Sequence, residues 1–377
     1  MASRKTYASL DQYIDRLIRE STPERSIWNV EKLRGGGSAS WNYVDGCMMT
    51  ALLSLYEITG EKRFLDFTDG FIGAFVEEDG SIRTYKPEKQ MLDDINEGRV
   101  LFDLYRETGR EKYRRAADVL KRALDAQPRT AEGSWWHKKI YPDQVWLDGI
   151  YMAQPFAALY EKNFGDGDYS DILKQVSLAA SRMRDAKTGL YYHGYDASRK
   201  AFWCDRETGL SRSFWLRAIG WFSVALADLC GILPEEEAGP LRDIYAGLMR
   251  DLLPFADPDT GMYYQVVDHP EAEGNYLETS GSSMIAYAML KGARLGVLDA
   301  SFAEQGEKTF DGIVRTCLSF RGEELNLDRI CLVAGLGPED NPRRDGTIAY
   351  YLSEPIVSND AKGVAPLLMC YTEIKRR

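Results

Sequence analysis

The side chains best placed for acid–base chemistry in this chain are carboxylates standing just ahead of long apolar runs. Six clusters obey one rule: polar or charged residues, then Gly or another small residue, then the apolar stretch. They are Trp41-Asn42-Tyr43-Val44-Asp45-Gly46, Leu92-Asp93-Asp94-Ile95-Asn96-Glu97-Gly98, Trp146-Leu147-Asp148-Gly149, Phe214-Trp215-Leu216-Arg217-Ala218-Ile219-Gly220-Trp221, Glu278-Thr279-Ser280-Gly281-Ser282-Ser283 and Ser358-Asn359-Asp360-Ala361-Lys362-Gly363. A carboxylate at a helix start can act merely as a cap, accepting from free N–H groups and complementing the helix dipole. Convergence of all six starts on one cavity would be more than capping requires. Aromatic residues cluster with them: of eight Trp, residues 135, 136 and 146 flank Asp148, and 203, 215 and 221 surround Arg217. Such rings can stack on the apolar faces of sugars while acids, Arg and His bond the hydroxyls. Any single one can equally be core packing.

Other chemistries lack their residues. The three histidines, His137, His193 and His269, fall in three different connections without His-x-x-x-His or Cys partners, which argues against zinc. His269 precedes Pro270 and is expected in a surface loop. Gly35-Gly36-Gly37-Ser38 has neither the Lys nor the preceding strand of a phosphate loop, and there is no Gly-x-Ser-x-Gly elbow. Carboxylate chemistry on a carbohydrate remains, with no metal and no cofactor expected.

The elements that must hold these residues repeat along the chain. Leu55-Tyr56-Glu57-Ile58-Thr59-Gly60-Glu61-Lys62-Arg63-Phe64 resembles Leu104-Tyr105-Arg106-Glu107-Thr108-Gly109-Arg110-Glu111-Lys112-Tyr113, with a looser copy from Leu159 to Gly165. In each, an apolar helix ends at a Gly suited to a left-handed cap and a second helix begins within a few residues. Similar ends are expected at Gly231 and Gly296. The pattern gives six apolar helices, with amphipathic partners after all but the last. The segment near residues 7–20 supplies the sixth partner. Turns from apolar to amphipathic helix are short, whereas the return connections (about 77–92, 127–145, 185–210, 256–275 and 321–357) are long and aromatic. Loops of that length are usually functional or disordered, and these are too aromatic for disorder. Two share Asp-x-x-Thr-Gly-[Leu/Met]-Tyr-Tyr, at 185–192 and within 257–264, and are expected to form short β-hairpins. An all-α (α/α)6 toroid follows, with six inner and six outer helices and all long loops at one end. No linker interrupts it, so residues 1–377 are expected to form one domain.

Composition narrows the partners. Of 377 residues, 44% are hydrophobic and 28% charged, as in a globular protein with a large core. No run approaches the ~18 apolar residues of a membrane span. The N-terminus lacks the apolar core of a signal peptide, which predicts a cytoplasmic protein. Six cysteines without a Cys-x-x-Cys pair are expected to be buried thiols in a reducing compartment. A net charge of −11 disfavours nucleic acid and anionic membranes, and an acidic ligand would need a local cluster of Arg or Lys. A monomer is expected.

Taken in order, these clusters resemble glycoside hydrolase family 105, the unsaturated rhamnogalacturonyl hydrolases. The likeness runs from about Trp41 to Lys375. It rests on Trp136-His137-Lys138, on Trp146-Leu147-Asp148-Gly149-Ile150-Tyr151-Met152-Ala153-Gln154-Pro155-Phe156, and on the segments around Arg217 and Asp360. Leu216 stands where the family commonly has a smaller residue, and Asp94 where Asn is commoner. The resemblance implies hydrolysis of small acidic oligosaccharides that bear a 4,5-unsaturated uronic acid left by a pectin lyase. It implies Asp148 as general acid/base, protonating C4 before water adds to C5, with neighbours such as Trp146 raising its pKa by desolvation. Arg217 would grip the substrate carboxylate bidentately. Asp93 would bond ring hydroxyls or polarise the water, with Asp94 as its rival for facing the site. His193 would bond substrate or orient the acid, His137 would contact substrate, and Tyr43, Trp146, Trp215 and Trp221 would shape the ring pocket. Competing readings are an unsaturated glucuronyl hydrolase acting on glycosaminoglycan- or ulvan-type fragments, a sugar epimerase, and a catalytically silent oligosaccharide-binding toroid.

Overall fold

The computed structural model describes residues 4–377, with side chains from residue 9 onward. Six inner helices are present: α3 (Tyr43–Thr59), a broken helix made of α5 (Asp93–Asn96), one 3-10 turn and α6 (Val100–Thr108), then α8 (Leu147–Asn163), α10 (Leu216–Ile232), α12 (Thr279–Arg294) and α15 (Ala361–Lys375). Each packs on the next, and α15 closes the ring on α3. Outside lie α4 (Lys62–Gly73), α7 (Glu111–Asp125), α9 (Ser170–Met183), α11 (Gly239–Leu252) and α13 (Ala300–Cys317), each paired with the inner helix before it. The sixth outer position belongs to α1 (Arg4–Arg19), which reaches α15 through a 3.0 Å bond from the Tyr371 hydroxyl to Asp11. Two short helices, α2 (Val30–Gly35) and α14 (Ile348–Leu352), lie in the connections. The (α/α)6 toroid is therefore the observed fold.

Local sequence explains the helix ends. Gly60 and Gly109 adopt left-handed φ of 68° and 66°, and their N–H groups close on the Tyr56 and Tyr105 carbonyls. Gly296 is left-handed as well, but Gly231 is not a cap, because α10 runs on to Ile232 before Pro234 stops it. At the other end, two junctions between inner helices come together at glycine. A Cβ on Gly46 would lie 2.6 Å from the Glu97 Cα, and one on Gly220 would lie 3.1 Å from the Gly281 Cα. The large Leu216 packs over Gly281, which accommodates its extra bulk at that position.

The long connections share one end of the ring and carry three two-stranded antiparallel ladders: β1 (Gln144–Trp146) with β2 (Gly194–Asp196), β3 (Leu318–Arg321) with β4 (Glu324–Leu327), and β5 (Ile330–Cys331) with β6 (Ile356–Val357). The two Asp-x-x-Thr-Gly repeats are not ladders. Asp185 and Asp257 each accept the N–H and hydroxyl of the Thr three residues on, making self-capped turns, and the first is closed by one isolated bridge, Arg184 to Tyr191. Asp205 and Thr208 build the same turn a third time. All six cysteines are unpaired and buried. No helix among the described residues is long and apolar enough to cross a membrane.

The end opposite the long loops is tied by a buried ion cluster. Asp228 on α10 receives Arg99 at 2.5 Å and Lys291 at 2.7 Å, plus the Tyr287 hydroxyl at 2.7 Å, so one carboxylate joins three inner helices. Burial pushes this carboxyl up, but Lys291 and Arg99 outweigh it and bring it down to about 2. A folded-state value below the unfolded one contributes stability at neutral pH that is lost as pH falls through ~4 towards the folded value. Asp228→Asn should therefore lower stability by ~3–5 kcal/mol at neutral pH and flatten the acid limb of the stability curve, as read by urea unfolding. For the glycines, Gly46→Ala should cost ~1–3 kcal/mol by overpacking against backbone. Gly70→Ala, in α4 with nothing within 4 Å of its Cβ, should raise stability by up to ~1 kcal/mol. Thermal unfolding of the two variants checks both signs.

Candidate active site

Of the carboxylates at the inner-helix starts, most are committed to structure. Glu278 caps α12, accepting from the Ser280 and Gly281 N–H groups, and also takes the Cys331 N–H at 3.0 Å. Asp360 caps α15 and pairs with Lys362 at 3.1 Å. Asp45 collects the Ser26 hydroxyl, the Trp28 indole N–H and the amides of Asn29 and Asn42. Glu97 accepts the Asn42 N–H at 2.6 Å, and burial with Asp45 nearby pushes its carboxyl well up. Asp93, Asp94 and Asp148 remain, and none caps its own helix.

Asp148 sits in the first turn of α8, directly after β1. The β1–β2 register sets Trp146 opposite Gly194, and the Leu147 N–H bonds the His193 carbonyl at 3.0 Å. That ladder carries His193 to the acid, with Nε2 3.2 Å from the Asp148 Oδ2 at ion-pair distance but off hydrogen-bond alignment. A Cβ on Gly194 would lie 2.6 Å from Leu336 and 3.2 Å from Trp146, so the ladder demands glycine there. Trp146 is sandwiched by His137 at 4.4 Å and Tyr141 at 5.0 Å, both nearly parallel to it, and meets His193 edge-on at 5.3 Å. Two main-chain contacts hold the next strip in place: an isolated bridge from Met91 to Lys138, and a 3.1 Å bond from the Leu92 N–H to the His137 carbonyl. They deliver Asp93 to Lys138 at 2.7 Å and to the His137 Nε2 at 3.4 Å.

The electrostatics separate neighbouring groups. Burial pushes Asp93 up, yet Lys138 and His137 overcome it and hold the carboxyl below the usual range. Next to it, burial and the Asp93 charge raise Asp94 to about 6. Asp93 thus faces the His137–Lys138 strip, while Asp94 is the half-buried neighbour whose carbonyl receives the Trp41 indole N–H. Burial drives His137 down to about 4, so its ring is neutral near pH 7. The Tyr43 phenol is held well above its ordinary value by burial and by the Glu31 and Asp93 charges, with Arg217 acting in the opposite sense.

Arg217, Trp215 and Trp221 are more enclosed than their expected roles suggest, at 1%, 1% and 3% exposure. The Arg217 guanidinium donates to the carbonyls of Cys331 and Leu332 and to the Ser280 hydroxyl, leaving Nε without a partner. It lies 4.9 Å from the Trp215 ring centre, and His193 lies 4.7 Å from the same ring. Trp221 stacks on Tyr151 at 4.5 Å and meets Tyr43 edge-on at 6.5 Å. Trp203 joins a small buried cluster with Tyr141, Trp146 and Leu336, Trp135 is buried under Arg129, and His269 is a half-buried loop residue beside Asp268 and Glu271. Among the described residues no group of three or more His, Cys, Asp or Glu could hold a metal.

Three residues escaped the sequence reading. Lys138 lies inside a noted motif, but its pairing with Asp93 depends on a main-chain bridge no spacing reveals. Tyr141 is a loop aromatic whose only signal was company. Tyr351 is bonded to His193 at 2.7 Å across 158 residues of chain, without any local signature.

Comparison with known proteins places the arrangement. The family model described as Glycosyl Hydrolase Family 88 matches residues 15–377. The solved glycoside hydrolase from family 105 of C. acetobutylicum ATCC 824 is 40% identical, with a TM-score of 0.90 over 100% of both chains. Protein Atu3128 of Agrobacterium fabrum is 41% identical over 229 residues, 59% of this chain and 97% of that one. An unsaturated 3S-rhamnoglycuronyl hydrolase of Formosa agariphila is 25% identical over 179 residues, 46% of this chain and 44% of its own. With the family model spanning nearly the whole chain and a family 105 structure alike from end to end, this protein belongs to the glycoside hydrolases of the family 88 and 105 group.

Proposed function

We propose that the protein hydrolyses unsaturated rhamnogalacturonan oligosaccharides, releasing the 4,5-unsaturated galacturonic acid from their non-reducing end. The observation that carries this reading is the state of Asp148: a helix-start carboxylate free of capping duty, enclosed by Trp146 and His193. The reactive group of such a substrate is a vinyl ether. Asp148 gives its proton to C4, water adds its oxygen to C5, and the water's second proton returns to the carboxylate. The C5 hemiketal then opens to a ketone, and the hemiacetal freed at C1 expels the neighbouring sugar as an alcohol. One water is consumed per linkage, and the attack on the double bond removes the need for the carboxylate spacing of ordinary glycosidases. Asp93, held ionised by Lys138, serves as acceptor for substrate hydroxyls or the incoming water. Arg217 supplies fixed positive charge behind Trp215 for the uronate carboxylate, while Tyr43, Trp146, Trp215 and Trp221 form the wall and His137 and His193 bracket the ring.

A second reading is an unsaturated glucuronyl hydrolase acting on glycosaminoglycan- or ulvan-type fragments, whose vinyl ether the same carboxylate would serve. Loss of the unsaturated-uronate ultraviolet absorbance separates the two. Consumption of disaccharides from rhamnogalacturonan lyase alone supports the first, and consumption of those from glycosaminoglycan or ulvan lyases alone moves the enzyme to the second. No consumption of either by folded protein leaves an oligosaccharide-binding toroid.

On the consumed substrate, Asp148→Asn should keep fold and binding and lower kcat by ~10²–10⁴. Near-normal turnover of that variant would end the mechanism. Lys138→Met removes the charge that keeps Asp93 ionised, so the acid limb of kcat/KM should move to higher pH. A pH–rate profile unchanged from the parent would show that ionised Asp93 is not required.

A further inference from the structure

The acid is approached by a histidine whose other nitrogen is held by a tyrosine that no part of the reaction yet uses. The His193 Nδ1 lies 2.7 Å from the Tyr351 hydroxyl, and its Nε2 lies 3.2 Å from Asp148. Both His193 and Tyr351 are fully buried. Their rings pack on Trp215, His193 at 4.7 Å and Tyr351 at 5.8 Å with the planes nearly parallel, so neither can swing away without unpacking the wall. Gln265 donates to the Tyr351 carbonyl, and Thr347 caps α14 through the Tyr350 N–H, which fixes the tyrosine's backbone.

Two proton arrangements compete along this line. In one, the phenol donates to Nδ1, so the ring proton sits on Nε2, the nitrogen 3.2 Å from the carboxylate though off hydrogen-bond alignment with it. In the other, Nδ1–H donates to the phenol oxygen, and a bare Nε2 lone pair faces an ionised Asp148. The second opposes lone pair to charge and leaves the phenol hydrogen buried without an acceptor, since Nδ1 is its only hydrogen-bond partner recorded among the described residues. The phenol itself cannot relieve this by ionising, because burial and the nearby Tyr350 and Asp148 push it well above its ordinary value. A buried donor left unpaired is the costlier state.

We propose that Tyr351 is a positioning residue that fixes His193 as the Nε2–H tautomer, so that the imidazole presents a donor to Asp148 whenever that residue is a carboxylate. It does so by acting as a one-way donor at the far end of the ring, as second partners of imidazoles do elsewhere. This deepens the reading of Asp148 as the acid/base and rests on it for the effect on turnover. The tautomer itself does not depend on any substrate.

With only three histidines in the chain, nitrogen NMR of histidine-labelled protein can resolve the His193 ring. In the parent near pH 7 its Nδ1 should give a pyridine-type signal and its Nε2 a pyrrole-type one. Tyr351→Phe should convert this to a mixture of tautomers, with kcat lowered roughly ten- to a hundredfold and KM within about twofold. A parent ring protonated on Nδ1, or on both nitrogens, overturns the proposal, and that measurement stands even if the variant does not fold. So does a folded Tyr351→Phe protein with parental tautomer and kcat. An Nε2–H ring in a protein that consumes no unsaturated uronide supports the proton arrangement while removing the proposed reaction, so the two ideas fail separately.

Discussion

How closely six helices can approach at one end governs everything at the mouth of this protein. Helix axes normally stand 8–10 Å apart, a distance set by the side chains between them. Here two pairs of first turns come together at glycine, Gly46 on the backbone of Glu97 and Gly220 against Gly281. The crowding brings helix starts, and hence positive dipole ends and their carboxylates, into a shared volume. It also creates an electrostatic problem, since acids gathered at low dielectric repel one another. Each is answered locally: Asp45 by a ring of donors, Glu278 and Asp360 by backbone N–H groups, Asp93 by Lys138. Glu97 and Asp94 are left high. Asp148, outside all these arrangements, is the acid with its capacity unspent.

Much of this was readable from the chain. Helix number, order and pairing follow from apolar periodicity and the Leu-Tyr-x-x-Thr-Gly ends, because a left-handed glycine cap is a local event decided by a few residues. Gly231 misled for the same reason: the local pattern matched, but the tight packing of α10 on α12 carried the helix past it. The Asp-Thr-Gly turns misled in the opposite sense, since the Asp side chain satisfied the backbone that a ladder would otherwise have used.

For the site, sequence patterns identified which residues gather but not how they face. Asp148 beside Trp146 and His193 is encoded in strand–helix junctions and was legible. That Arg217 spends its donors on the carbonyls of Cys331 and Leu332 depends on where the connection after α13 returns, a contact spanning 114 residues that no spacing rule carries. The Lys138–Asp93 and Tyr351–His193 pairs are of the same kind: two side chains delivered by separate loops, meaningful only once both are folded.

The ladder between β1 and β2 has a consequence for the loop that follows it. It joins three residue pairs by main-chain bonds, fixing the junction before α8 to the strand that follows His193. The relation between Asp148 and His193 is therefore written into the backbone, and the chain after Asp196 folds straight back on β2, with the Asp196 N–H bonded to the Gly209 carbonyl and the Ser211 N–H to the Gly194 carbonyl. Inside that return Ala201, Trp203 and Cys204 pack in one buried cluster with Trp146, so a change of length there would pull on the strands that hold the junction. The placing of Asp148 is in this way tied to a segment more than fifty residues further along the chain, and the two can change only together.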